Sequence, residues 1–315
     1  MNATRLFFTA LASLAASLAL TRPAAAFCLT HGCNEATQDC EVDQQGCLIS
    51  GPLLYWSSGC VSFDVQKDGS SRRGISYDDA RDAIHESFRQ WLNADCGDGQ
   101  GPSIRIEDYG PVECRKAEYN QQAGNANIVM FRDESWPYTN AIDTLALTTL
   151  IFNADTGEIY DADIEVNTFE SPMAIGGVGA RSIDFSSVIT HEIGHFLGLS
   201  HSSVRGSTMQ QSYEPGNTEM ATIEADDMAG ICEALPPDRS IKSSSCEPRH
   251  GFSAECAVEE SEGCSLNAAR GTGASTGALL LLVGLSSTLL RKRLRRAGRP
   301  RAANPGPRRG PGSGW

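Results

Sequence analysis

The spacing of apolar residues along this 315-residue chain predicts a domain that combines helices with strands. Apolar side chains recur at helical spacing at Ala80, Ile84, Phe88 and Trp91, after a capping-box-like start at Ser76. One stripe of this helix is therefore expected to face a core.

Short runs rich in apolar and β-branched residues predict a set of strands. These strands cover residues 60–65, 104–106, 127–131, 145–152 and 159–166. The last two runs are separated by Asn153-Ala-Asp-Thr-Gly157, which has the composition of a turn. The later strand is therefore expected to return alongside the earlier one.

A second helix is predicted to begin at Asp184, which is a candidate N-cap. The glycine-rich loop at 176–179 leads into it and lacks the GK[ST] of a phosphate-binding loop. The residues expected on the core side of this helix are Val188, Ile189, Ile193, Phe196 and Leu197.

The stretch that starts at His191 reads HExxHxxGxxH. On a helix, His191 and His195 lie one turn apart and can offer two imidazoles to one metal. Gly198 has no Cβ and can adopt the left-handed conformation that ends the helix, so that His201 can supply a third nitrogen. Three protein ligands leave a fourth position for water, whose proton Glu192 can accept. The motif therefore predicts a catalytic zinc site.

Followed by a methionine eight residues after the last histidine, this motif resembles the metzincins, and among them the matrixin or matrix-metalloproteinase branch. The methionine is Met209, and the segment 223–231 resembles the closing helix of that branch. Tyr213 falls where matrixins place the tyrosine of the specificity-pocket wall. The resemblance implies an α+β, zincin-like fold with a twisted mixed β-sheet, an active-site helix, a backing helix and a small C-terminal subdomain.

The same resemblance implies a secreted zinc-dependent endopeptidase that hydrolyses extended protein substrates. One catalytic Zn²⁺ would be held by His191, His195 and His201, with Glu192 as the catalytic base. The substrate would lie along the sheet edge formed by the strand at 145–152. The alternative is a catalytically silent metzincin-fold adhesion or binding module. Loss of Glu192 would have indicated that alternative, and Glu192 is present.

Two parts of the matrixin pattern stay open. Gln211 stands where matrixins usually have proline, which leaves the pocket wall undefined. A group of acidic residues could hold Ca²⁺, as matrixins do in this region, or form an acidic surface hairpin, because no EF-hand-like spacing is present. These residues are Asp155, Asp161, Asp163 and Glu165. A second zinc site finds no match, since the remaining histidines are His31, His85 and His250.

The two ends of the chain carry targeting signals. Residues 1–26 predict a secretory signal peptide that ends in Ala-Ala-Ala. Near the other end, Cys264, an uncharged span at 273–290 and an arginine cluster resemble a MYXO-CTERM sorting region, with an ordinary membrane anchor as the alternative. The predicted parts are the signal peptide (1–26), a Cys-rich segment (27–50), the metallopeptidase domain (51–236), a Cys-containing linker (237–263), the sorting or transmembrane segment (264–296) and a disordered basic tail (297–315).

Cysteine content and charge agree with export. The chain has 11 cysteines, which suits an oxidising compartment. Ten are expected to form up to five disulfides, with local bridges in 27–50 and with Cys264 as the odd one; Cys96 and Cys114 flank one loop and could pair. Between the signal peptide and Leu290 lie 15 basic and 39 acidic residues, a net charge of −24 that disfavours nucleic acid. The expected product is a secreted or cell-surface monomer that acts on protein or peptide substrates and meets the membrane through its C-terminal segment.

Overall fold

The computed structural model describes residues 26–33, 39–139 and 142–257. All but the last residue of the predicted signal peptide (1–26), together with the predicted sorting segment, Cys264 and the basic tail, lie outside the described residues. Within the described ranges, no helix is both long enough and apolar enough to span a bilayer.

The order of elements alternates short strands with three α-helices. The strands are β1 (Cys28–Leu29), β2 (Cys60–Gln66), β3 (Arg105–Val112), β4 (Ile128–Phe131), β5 (Ala146–Phe152), β6 (Ile159–Val166), β7 (Met173–Ala174), β8 (Ile183–Asp184) and β9 (Leu199–Ser200). The helices are α1 (Tyr77–Leu92), α2 (Phe185–Phe196) and α3 (Ala225–Ala234). Each strand and helix predicted from the residue pattern is found, although β3 extends well beyond the predicted 104–106.

Five of the strands form one mixed sheet in the order β3-β2-β4-β6-β5. The pairs β2–β3, β2–β4 and β4–β6 are parallel, whereas β5 and β6 are antiparallel. The predicted return of 159–166 alongside 145–152 is therefore confirmed, and so is the α+β fold. Because β5 is the last strand of the sheet, one of its edges has no strand beside it within the described part of the chain.

One face of the sheet, which we call the inner face, packs against α1 and α2. Phe63 of β2, Phe88 of α1 and Phe196 of α2 form a continuous aromatic contact, with ring centroids 4.9 and 5.4 Å apart. The indole nitrogen of Trp91 donates a hydrogen bond to the carbonyl of Thr190, 2.8 Å away, so α1 is fixed directly to the turn of α2 that precedes the first motif histidine. All of these side chains are almost fully buried.

The opposite face, the outer face, is covered by irregular chain. The segment 113–127 and the segment 243–257 lie over it, and they are joined to each other by hydrogen bonds from Glu113 N and Cys114 N to the carbonyl of Ala254. A small apolar cluster around Ile128 and Met130 packs beneath them. Part of the predicted linker at 237–263 is thus packed on the sheet, while the division of the chain into domains stays a prediction.

Disulfides hold these covering segments. The ten described cysteines form five bridges, as expected: Cys28–Cys47, Cys33–Cys40, Cys60–Cys246, Cys96–Cys232 and Cys114–Cys256. The local bridges predicted for 27–50 are confirmed. The suggested pairing of Cys96 with Cys114 is wrong, because Cys96 reaches α3 and Cys114 reaches the segment at 243–257. Residue spacing could not show this, since both bridges span more than a hundred residues.

Candidate active site

The active-site helix α2 begins where the sequence predicted. The side chain of Asp184 accepts a hydrogen bond from Ser187 N at 2.9 Å, which satisfies an otherwise free N–H of the first turn. Asp184 N in turn donates to the hydroxyl of Tyr213 at 2.8 Å, and that hydroxyl donates to the carbonyl of Asn217. Tyr213 therefore joins the start of the helix to the loop that follows Met209.

The end of α2 brings the third histidine back to the first two. Gly198 follows Leu197, the C-cap of the helix, and has φ +104°. Residues with a Cβ rarely adopt this left-handed backbone conformation. The chain then reverses through β9, and the ring of His201 lies 5.3 Å from that of His191 and 4.8 Å from that of His195. One ligating atom from each of the three rings lies within 4.8 Å of the others.

The hydrogen bonds of the rings fix their tautomers. Nδ1 of His191 donates to the carbonyl of Thr208 at 2.7 Å, and Nδ1 of His195 donates to that of Leu199 at 2.9 Å. In these two rings the lone pair is therefore on Nε2. Nε2 of His195 and of His201 is buried and has no hydrogen-bond partner among the described residues.

Burial also keeps these imidazoles neutral. It lowers the pKa of His195 to about 4, and burial together with the neighbouring His195 lowers the pKa of His201 to about 3. For His191 the same cause, burial, holds the pKa well below its ordinary value. Neutral imidazoles with converging Nε2 atoms are the ligand set that zinc prefers, so the residues present fit a three-histidine zinc site.

Met209 lies directly against the active-site helix. A Cβ on Gly194 would come within 2.2 Å of the Met209 sulfur and 2.8 Å of the Trp91 ring, so only glycine allows this approach. Met209 is 1% exposed. The methionine turn thus packs against α2 at Gly194, between the first two histidines. The HExxHxxGxxH motif does not specify the residue at this position.

A buried carboxylate holds that turn. Asp227 of α3 accepts hydrogen bonds from Thr208 N at 2.7 Å, Met209 N at 3.0 Å and Glu224 N at 2.9 Å. Burial raises the pKa of Asp227 despite these bonds. Since the carbonyl of Thr208 orients His191, Asp227 connects the closing helix to the histidine site through one turn of chain.

Glu192 lies beside the histidines on the same helix and is 1% exposed. Its Oε2 accepts a hydrogen bond from the hydroxyl of Thr148 on β5 at 2.6 Å. Its Oε1 has no hydrogen-bond partner in the described part of the chain. Burial raises the pKa of Glu192 to about 7, and the hydrogen bond from Thr148 opposes that rise. The contact with Thr148 is a feature that no sequence motif signalled.

The acidic residues considered for calcium divide into two groups. Asp155 is exposed on the β5–β6 turn, whereas Asp161, Asp163 and Glu165 are buried on the outer face. Asp163 accepts hydrogen bonds from two backbone N–H groups, and Glu165 is paired with Arg132. These acids do not form a cluster of three with ligating atoms within 4.8 Å among the described residues. Calcium therefore stays a prediction.

Comparison with known proteins points to one family. Residues 105–234, which contain β3, the edge strand β5, the histidine motif, the methionine turn and α3, match the family model described as Matrixin. This part of the chain is a matrix-metalloproteinase-like domain. Its sheet, its helices and its converging histidines are what the resemblance to matrix metalloproteinases led us to expect, and matrixins as a family are zinc-dependent metalloendopeptidases.

Individual relatives are similar to part of this chain. Metalloendoproteinase 1-MMP of Arabidopsis thaliana is 23% identical over 187 residues, which cover 59% of this chain and 46% of that protein. Matrilysin of Rattus norvegicus is 47% identical over 49 residues, 16% of this chain and 18% of that protein. Matrix metalloproteinase-A of Caenorhabditis elegans is 28% identical over 167 residues, 52% and 27% of the two chains. The chain therefore spans less than half the length of each of these relatives.

Proposed function

We propose that this protein is an exported zinc endopeptidase that cleaves extended protein substrates. The observation that carries the proposal is the convergence of three neutral imidazoles, two of them buried and that of His201 partly buried, beside the buried carboxylate of Glu192. We assign His191, His195 and His201 as the zinc ligands and Glu192 as the catalytic base. The five disulfides support export, because such bridges persist in oxidising compartments.

A zinc ion held by three imidazoles acts as a Lewis acid and lowers the pKa of water bound to it. The chain's own residues do the rest. Oε1 of Glu192 is free to accept the proton of an attacking water and to return it to the leaving amine. The carbonyls of Thr208 and Leu199 keep two of the imidazoles in the tautomer that presents Nε2.

Substrate would be held by the free edge of β5. An edge strand presents unpaired N–H and C=O groups, to which an extended peptide can add with little demand on its side chains. Thr148 of the same strand contacts Glu192, so a peptide bound there would lie next to the base. Tyr213 is our candidate for the wall of the pocket that receives a substrate side chain.

The test is Glu192→Gln, with Glu233→Gln as the control. Glutamine keeps the size of the side chain and removes the proton acceptor, whereas Glu233 is exposed on α3. Both purified variants and the wild type are incubated with a peptide library, with and without a chelator, and products are read by mass spectrometry. We expect Glu192→Gln to retain zinc by metal analysis and to lose roughly 10²–10⁴-fold in cleavage rate. Full activity in zinc-loaded Glu192→Gln would overturn the mechanism, and a zinc-loaded wild type that cleaves nothing would favour the silent binding module.

A further inference from the structure

The edge strand β5 contributes a side chain to the candidate site. The hydroxyl oxygen of Thr148 lies 2.6 Å from Oε2 of Glu192 and 3.2 Å from the backbone carbonyl of the same residue. A hydroxyl carries a single proton, and the shorter contact, to the carboxylate oxygen, takes it. Strand β5, whose free edge is the proposed site of substrate binding, is thus hydrogen-bonded to the carboxylate of Glu192 on the active-site helix.

This bond makes the two oxygens of the carboxylate unequal. Oε2 is held by Thr148, while Oε1 is buried without a hydrogen-bond partner among the described residues. A glutamate side chain has several rotatable bonds, and a carboxylate with no fixed oxygen would sample more than one orientation.

We propose that Thr148 is a positioning residue for catalysis, which fixes Oε2 of Glu192 so that Oε1 is the oxygen that exchanges a proton with the attacking water. The inference rests on the proposed function, since it assigns a role relative to the base. Beyond the proposed function, it states that β5, the strand proposed to bind the substrate, also orients the catalytic base. Peptide binding and the orientation of Glu192 then depend on the same few residues of β5.

The test compares Thr148→Val, Thr148→Ser and a matched control. Valine has nearly the shape of threonine but lacks the hydroxyl, and serine keeps it. The control is Thr168→Val, because Thr168 also donates to a carboxylate, that of Asp133 at 2.5 Å, at a position outside the proposed site. The control reports what the loss of one threonine–carboxylate bond does to the folded protein alone.

We expect Thr148→Val to lower kcat by roughly ten- to hundredfold with little change in KM and with zinc content unchanged. Thr148→Ser should keep most of kcat, and Thr168→Val should keep all of it while lowering the melting temperature. In a crystal structure of metal-free Thr148→Val, the Glu192 carboxylate should be rotated relative to the wild type, and in Thr148→Ser it should not.

Combination with Glu192→Gln separates this inference from the proposed function. If Thr148 acts through Glu192, Thr148→Val should add no further loss to the residual rate of Glu192→Gln. A further loss as large as in the wild-type background, wild-type kcat in Thr148→Val, or a change confined to KM would each overturn the role of Thr148. None of these results would touch the assignment of Glu192, which fails only if Glu192→Gln itself is fully active.

Discussion

The two faces of the five-stranded sheet are buried by different means. The inner face packs against helices α1 and α2, and its contacts are aromatic and aliphatic, as in the contact of Phe63 with Phe88. The outer face carries Asp64, Asp163 and Glu165 and is covered by two irregular segments. One disulfide attaches a segment to β2 and another joins the two segments to each other. The helices that cover the inner face are determined by the local spacing of their apolar residues. The cover of the outer face depends on bonds between residues far apart in the sequence. The candidate site belongs to the inner face, so changes on the two faces should have different consequences.

The largest expected effect is on activity, from a change at the inner-face site. His201→Ala removes one of three converging nitrogens, so zinc affinity and cleavage should fall together, with activity down by at least about a hundredfold. His85→Ala is the control, because His85 is exposed on α1 and bonds to Asp108. Metal analysis alongside the activity assay checks the prediction. Unchanged zinc occupancy in His201→Ala would mean that the third ligand is another residue.

The next effect is on stability, from a change on the outer face. Cys60 and Cys246 are 186 residues apart in sequence, but the bridge Cys96–Cys232 shortens the covalent path between them to about 50 residues. For replacement of both cysteines with Ala, the chain-entropy model gives a loss of roughly 4 kcal/mol, against roughly 2 kcal/mol for the separation of 7 between Cys33 and Cys40. Thermal unfolding of both double variants measures the difference.

If the two faces are independent, kcat of the Cys60/Cys246 variant should equal that of the wild type well below its melting temperature. A fall in kcat of the fully folded variant would show that the outer cover also supports the site, and the contrast between the faces would fail. An equal stability loss in the two double variants would show that loop length does not govern this bridge.

An intermediate effect is expected where the closing helix joins the site. Asp227→Asn places an amide NH₂ either against the N–H of Met209 or against the N–H groups of Thr208 and Glu224, so at least one buried hydrogen bond becomes a repulsive contact. We expect a loss of roughly 2–3 kcal/mol in unfolding free energy and weaker zinc binding, because the carbonyl of Thr208 orients His191. Denaturant unfolding and zinc titration check this against Glu233→Gln. Wild-type zinc affinity in Asp227→Asn would show that the methionine turn does not influence zinc binding.

Sequence reasoning reached the inner face well and the outer face poorly. The helical spacing of Ala80 to Trp91 and the N-cap at Asp184 carry local signals, and both helices begin where those signals predict. The histidine motif fixes its own geometry, because a helical turn and one glycine bring the rings together. By contrast, the partner of Cys96 depends on the path of more than a hundred intervening residues, which no local pattern encodes.

Within the site, the unpredicted residue is Thr148, for the same reason. Its strand was predicted from β-branched composition, which says nothing about which helix the hydroxyl meets. The contact with Glu192 depends on β5 lying beside α2, a relation fixed only by the order of strands in the sheet. Gly194 is a similar case, since its need for a small side chain comes from Met209 and Trp91, both distant in sequence.

The smallest expected effect concerns a buried charge on the outer face. Both oxygens of Asp64 are buried without a hydrogen-bond partner among the described residues, and burial, with a smaller contribution from Asp108, raises its pKa from 3.8 to about 8. The folded state therefore holds this proton more tightly than the unfolded state does, and the stability that it contributes is lost as pH rises from about 4 towards 8. Asp64→Asn removes the titration, so its stability relative to the wild type should improve between pH 5 and pH 6 by roughly 1.3 kcal/mol, or about 3–5 °C in Tm. Asp161 and Glu192 titrate in both proteins, so the difference isolates Asp64, and Asp143→Asn, at an exposed position, controls for the loss of one acidic group. Parallel Tm curves for Asp64→Asn and the wild type would show that Asp64 is ionised in the fold and that a cation or donor pairs with it.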